Sequence, residues 1–171
     1  MEHLKALIRD VPDFPMQGIL FRDVTPLLRD PRGLAQVVEA FAGRYREQGI
    51  DVVAGIESRG FLFGAPLAVA LGVGFVPIRK LGKLPAEKIT REYALEYGTN
   101  SLEIHRDAVR PGERVLLIDD LLATGGTARA AAELVEELGA TVAEIAFVIE
   151  LAFLNGRGVL GDRPMHALIS Y

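Results

Sequence analysis

Residues 114–139, RVLLIDDLLATGGTARAAAELVEELG, constrain the fold more than any other part of the chain. Four apolar residues run into Asp119 and Asp120, a short loop follows, and Gly125-Gly126-Thr127 opens a segment with helical spacing that stops at Gly139. The pattern predicts a buried strand, a turn and an amphipathic helix. Apolar runs at DVVAGI (51–56), VGFVPI (73–78) and TVAEIAFVIEL (141–151) predict further strands, with a helix over 32–48 before the first and another over about 61–71 between the first two. Strands alternating with helices imply βαβ units. The expected fold is α/β, an open, mainly parallel twisted sheet with helices on both faces, and HALISY reads as a candidate last strand. In such sheets ligands sit at the carboxyl ends of strands, so the strand tails are where chemistry is sought.

The tail after Ile118 carries the strongest signal. A Gly pair lets the backbone approach a bulky anion. The loop and helix N–H groups, with the Thr124 and Thr127 hydroxyls, can cradle a phosphate. Two carboxylates just upstream can accept hydrogen bonds from a sugar diol or hold Mg²⁺ through water. Taken alone, an Asp-Asp pair reads as a solvated turn and Gly-Gly-Thr as a helix cap; their spacing after a buried strand favours a sugar-phosphate site. Both acids face one ligand only if the strand ends near Asp119, because neighbouring strand residues point to opposite faces. No Lys follows the Gly pair, so this is not a Walker loop, and no GxGxxG fingerprint is present.

Two other tails add cations. Ser58-Arg59-Gly60 lies between a strand and a helix, where Arg59 can fork onto a phosphate. Residues 79–91 hold Arg79, Lys80, Lys83, Lys88 and Arg91 against one acid, Glu87, and read as an exposed, mobile basic loop. REYALEY and SLEIH, flanking a Gly-Thr-Asn turn, predict a hairpin. The remaining segments are a short amphipathic helix over 2–9, a Pro/Gly loop over 11–18 and a short strand over 19–24.

Composition narrows the function classes. The 171 residues form one domain's length, and half are hydrophobic. A net charge of -4 argues against a general nucleic-acid binder. The absence of Cys excludes disulfides and thiolate metal sites and is compatible with a cytoplasmic location. MEHLKALIRD contains no signal-peptide core. The uncharged run 60–78 is broken by four Gly and two Pro and reads as a buried helix feeding a buried strand, not a membrane span.

VLLIDDLLATGGT resembles the phosphoribosyl-diphosphate-binding signature of type I phosphoribosyltransferases. DFPMQGILFRDVTPLL, GIESRGFLFGAPLA, IRKLGKLP and YALEYG resemble the corresponding blocks of the adenine phosphoribosyltransferases, in the same order, from about Val11 onward. Glu57 is a departure, standing where many members have Asp. The resemblance implies a glycosyltransferase of purine salvage. Adenine and 5-phospho-α-D-ribose 1-diphosphate, with Mg²⁺, would give AMP and diphosphate. It also implies a single domain over 1–171, with a small hood built from 11–28 and the C-terminal region, a mobile catalytic loop at 79–97 and a cytoplasmic homodimer.

Residue by residue, the resemblance implies that Asp119 and Asp120 hold the ribose hydroxyls, near a Mg²⁺ held mainly through substrate. Ala123, Thr124, Gly125, Gly126 and Thr127 would wrap the 5′-phosphate. Ser58, Arg59 and Lys83 would contact the diphosphate, and Arg79 that of a neighbouring subunit. Phe21 would stack on adenine, the backbones of Leu20 and Arg22 would read its edge, and Leu154 would close its other face. Glu96 would be the acid/base group, with Tyr97 beside it. Without the resemblance, Phe21 reads as a core aromatic and Glu96 as a solvated hairpin residue. A phosphoribosyltransferase for hypoxanthine, guanine, xanthine or orotate is the alternative, and more remotely a non-catalytic phosphoribosyl-diphosphate-binding regulator.

Overall fold

The computed structural model describes residues 1–94 and 98–171. Its centre is a seven-stranded sheet in the order β5-β6-β4-β3-β7-β8-β9. These strands are β3 (Val52–Ile56), β4 (Gly74–Lys80), β5 (Lys88–Ala94), β6 (Thr99–His105), β7 (Arg114–Leu122), β8 (Thr141–Glu150) and β9 (Met165–Ser170). β4, β3, β7, β8 and β9 are mutually parallel, while β6 and β5 continue the sheet antiparallel from the end of β4. A separate two-stranded sheet pairs β1 (Arg9–Pro12) with β2 (Leu20–Asp23), antiparallel, near the carboxyl ends of the main strands.

The apolar strands are buried on both faces, as parallel sheets require. One face packs on α2 (Pro31–Tyr45) and α3 (Arg59–Leu71), through Phe41, Phe63 and Leu67 against Val53, Leu116 and Ile118. The other packs on α4 (Gly126–Glu137), whose Ala131, Leu134 and Val135 meet Ala54, Leu117 and Phe147. α2 starts where Asp30 accepts from the Gly33 amide at 2.7 Å and Pro31 takes the first turn. α3 stops at Gly72, in the left-handed region at φ 71°. Two short helices, α1 (Thr25–Arg29) and α5 (Gly156–Leu160), complete the chain.

Three elements differ from the sequence reading. The expected helix over 2–9 is a 3-10 helix that stops at Leu7, because the chain must extend by Arg9 to pair with Asp23. The basic stretch 79–91 is mostly strand: Arg79 and Lys80 pair with Glu103 and Leu102, Lys88 and Arg91 lie on β5, and only 81–87 remain as loop. β7 does not stop at Asp119. Its tail Leu121-Leu122 continues the ladder against Ile149 and Glu150.

Candidate active site

Chain order reverses between β3 and β7. From β3 the chain crosses over α3 to β4 on one side, and it later returns to place β7 on the other. At that reversal the carboxyl ends of two adjacent strands splay their loops apart and leave a crevice. The crevice here is a cleft of about 270 Å³. Its walls come from Glu57, Ser58 and Arg59 after β3, from 119–125 and Thr127 at the end of β7, and from Tyr93 and Asn100 of the β5–β6 hairpin.

The acid pair is built asymmetrically. Asp120 is buried, and Arg59 donates to its Oδ2. The Asp120 amide donates to Asp119 Oδ1 at 2.9 Å. Burial, with the Asp120 charge beside it, pushes the Asp119 carboxyl well above the usual carboxylate range. A part-buried carboxyl in that condition gains from any donor that stabilises its charged form. Although β7 runs past both acids, both line the cleft, each on a different partner.

α4 begins at Gly126, so the unpaired N–H groups of its first turn lie at the edge of the cleft. Gly125 precedes it at φ 88°, a conformation open to Gly. Gly125 and Gly156 are pressed backbone to backbone. A Cβ on Gly125 would stand 2.5 Å from the Gly156 carbonyl oxygen, and one on Gly156 would stand 2.3 Å from that of Ala123. The anion-competent turn is therefore braced by the start of α5. A turn of N–H groups with a helix N-terminus, two acids and a cation can receive a phosphorylated sugar.

A phosphoribosyl transferase domain model matches residues 23–158. An adenine phosphoribosyltransferase of Chloroflexus aurantiacus is 59% identical over 99% of this chain and 98% of its own. The chain belongs to the phosphoribosyltransferase family. Among solved structures, an adenine phosphoribosyltransferase from Thermoanaerobacter pseudethanolicus superposes with a TM-score of 0.97 at 54% identity, covering 99% of both chains. The Saccharomyces cerevisiae enzyme, solved with adenine and an imino-altritol bisphosphate, gives 0.93 at 46% identity over 98% of this chain and 97% of that one.

Within this phosphoribosyltransferase the structure gathers Ser58, Arg59, Asp119, Asp120, Ala123, Thr124, Gly125 and Thr127 around one cleft. Gly126 is not in the cleft lining: a Cβ there would point to β5, 3.2 Å from the Ala94 carbonyl oxygen. Arg79 is turned onto Glu57, with both contacts at 3.2 Å, and onto the Lys83 carbonyl. The Lys80 amide and Arg79 hold the Glu57 carboxyl below its usual range despite burial. Lys83 is exposed on the 81–87 loop. Phe21 is half-buried beside the cleft, with the Phe14 ring edge-on at 5.1 Å and the Arg59 guanidinium 5.7 Å from its centre. Leu20 and Leu154 are exposed, at 44% and 40%. The Arg22 side chain turns away from Phe21, onto Asp10 and the Tyr171 ring. Glu96 and Tyr97 lie outside the described residues.

Sequence reasoning missed Tyr93 and Asn100, which also line the cleft, and read Lys80, another lining residue, only as one cation of the basic loop. The hairpin was legible, but its register, with Tyr93 opposite Asn100, was not. A cross-strand pair of that kind has no local spacing signature.

Proposed function

We propose that this phosphoribosyltransferase transfers the 5-phosphoribosyl group of phosphoribosyl diphosphate to adenine, for purine salvage. The bond from the anomeric carbon to the diphosphate oxygen breaks, a bond to N9 of adenine forms, and the N9 proton leaves. The observation that carries the reading is the switch-point cleft, where the α4 N-terminus and Gly125 turn stand next to Asp119, Asp120 and Arg59. In this reading the 5′-phosphate takes the turn of Ala123 to Thr127, and the ribose hydroxyls donate to Asp119 and Asp120. Donation to Asp119 stabilises the charged form that burial disfavours.

Arg59 and Ser58 receive the diphosphate, joined by Lys83 when the 81–87 loop folds over. A neighbouring subunit's diphosphate is the proposed destination of Arg79. Phe21 stacks on the purine, the Leu20 and Arg22 backbones read its edge, and Leu154 covers the other face. Glu96, beside Tyr97, moves the purine proton. Closure of the 81–87 loop excludes the water that would hydrolyse the activated ribose.

No group of three or more His, Cys, Asp or Glu side chains is gathered for a metal among the described residues. The adjacent carboxylates Asp119 and Asp120 in the cleft would suit a Mg²⁺ held mainly through substrate, with the two acids nearby. When bound, Mg²⁺ would neutralise charge on the leaving diphosphate. The proposed setting is a cytoplasmic homodimer. Among the described residues no helix is long and apolar enough to cross a membrane.

The reading is tested by following diphosphate release with the phosphoribosyl donor, adenine and Mg²⁺. Turnover is expected, with an Asp120→Asn variant losing about 10²-fold or more in kcat/KM for the donor. A wild-type protein that binds the donor but releases no diphosphate with any base would favour a non-catalytic regulator.

A further inference from the structure

Both proposed walls of the base site are tied to one residue outside the cleft. On the hood side, the Arg22 guanidinium lies 3.9 Å from the centre of the Tyr171 ring, and Lys5 lies 4.9 Å from it. Arg22 is also paired with Asp10 of β1, so the ring backs the whole two-stranded hood. Successive strand residues point to opposite faces. With Arg22 seated on Tyr171, Phe21 is directed to the other side, where it meets Phe14 and Arg59. On the opposite wall, the Tyr171 carbonyl accepts from the Ala152 amide at 2.9 Å, and its amide donates to the Glu150 carbonyl at 2.9 Å. Ala152 opens the short 3-10 turn Ala152–Leu154 that carries Leu154.

We infer that Tyr171 is a positioning residue that sets the separation of the Phe21 and Leu154 walls, and so tunes affinity for the planar base. The inference rests on the reading of the cleft as a phosphoribosyl and purine site. Tyr171 is not among the described residues that line the cleft of the acid pair and the Gly125 turn, so loss of its ring should fall on the base walls first. A large aromatic surface is needed on the hood side, because it is the ring face that holds the cation. Its hydroxyl plays no part in that contact.

The test is steady-state kinetics of Tyr171→Leu, Tyr171→Phe and Arg22→Gln, varying base and donor separately. Tyr171→Leu is expected to raise KM for adenine about tenfold, the size of a small misplacement of a binding wall. KM for the donor should rise less than KM for adenine, and Tyr171→Phe, which keeps the ring face, should lie closer to wild type than Tyr171→Leu. Arg22→Gln attacks the same contact from the hood and should give the same split should Tyr171→Leu fold poorly. An adenine KM unchanged in both Tyr171→Leu and Arg22→Gln overturns the inference, as does an equal rise in donor KM. If the wild type uses a different base, the adenine reading alone falls, and the same split is read on that base.

Discussion

Gly156→Ala isolates the brace between α5 and the anion-competent turn. The new Cβ would stand 2.3 Å from the Ala123 carbonyl oxygen and 3.0 Å from Leu122 Cδ1. Ordinary contact needs roughly 1 Å more, against dispersion optima of about 3.5 Å. The near atom is backbone, so rotamer adjustment cannot relieve it. The Ala123–Thr127 turn must move by about 1 Å, and a misplacement of that size costs about 10²-fold in rate, or about 2.7 kcal/mol of transition-state stabilisation. The assay is kcat/KM with the donor varied at saturating base, alongside a thermal melt showing a folded protein. Gly158→Ala is the control, because its Cβ would meet only the flexible Asn155 side chain, at 3.3 Å. The control should stay within about twofold of wild type. A Gly156→Ala enzyme within about threefold of wild type would refute the claim that this backbone contact holds the turn.

Other perturbations bear on the acid pair, the hairpin and the frame. Asp119→Asn should lower kcat/KM for the donor by about 10²-fold or more, yet raise the melting temperature at pH 7. The folded-state pKa of Asp119 is raised above its value of 3.8, so ionisation opposes folding, and the gain should shrink as pH falls towards 4 in a pH series of melts. Glu96→Gln should lower kcat by about 10²-fold, the range for a general acid or base, with little change in donor KM; unchanged turnover removes Glu96 from proton transfer. Arg44→Leu deletes the two bonds to Glu144, at 2.7 and 2.8 Å, and should cost about 1–3 kcal/mol in a denaturant titration at pH 7. Burial raises the Glu144 pKa, but Arg44 and Tyr45 bring it below the ordinary 4.5. Its stabilisation is present above that value and lost as pH falls through the lower folded value, so wild type and variant should converge in acid.

The frame was legible where local pattern and burial coincide. DVVAGI, RVLLID and TVAEIAFVIE are apolar because both faces of a parallel sheet are covered, and ARAAAELVEE shows its helical period because one side meets that sheet. The Gly125 turn was legible because a Gly-Gly-Thr run opening a helical period is local in sequence. Features set by distant partners were not. The basic stretch read as a loop because nothing near it announces that Glu103 and Leu102 will pair with Arg79 and Lys80. The local excess of positive charge was also misleading as a picture of free cations. Arg79 is held by Glu57, and Arg91 by Glu133 and Glu137. Arg59 and Asp120 are 61 positions apart, so their contact had no signature in spacing. Base choice has the faintest signal of all, because Leu20 and Arg22 would act through backbone groups that every residue carries.

A competition experiment tests the central claim most directly. The enzyme, Mg²⁺ and limiting phosphoribosyl diphosphate are mixed with equimolar adenine, hypoxanthine, guanine, xanthine and orotate, and the nucleotide products are resolved. A site that hydrogen-bonds the edge of one base rejects competitors lacking that edge by about 10⁴-fold, so AMP should account for essentially all product. Comparable amounts of AMP and any other nucleotide would contradict the account, and product formed only from another base would move the specificity elsewhere.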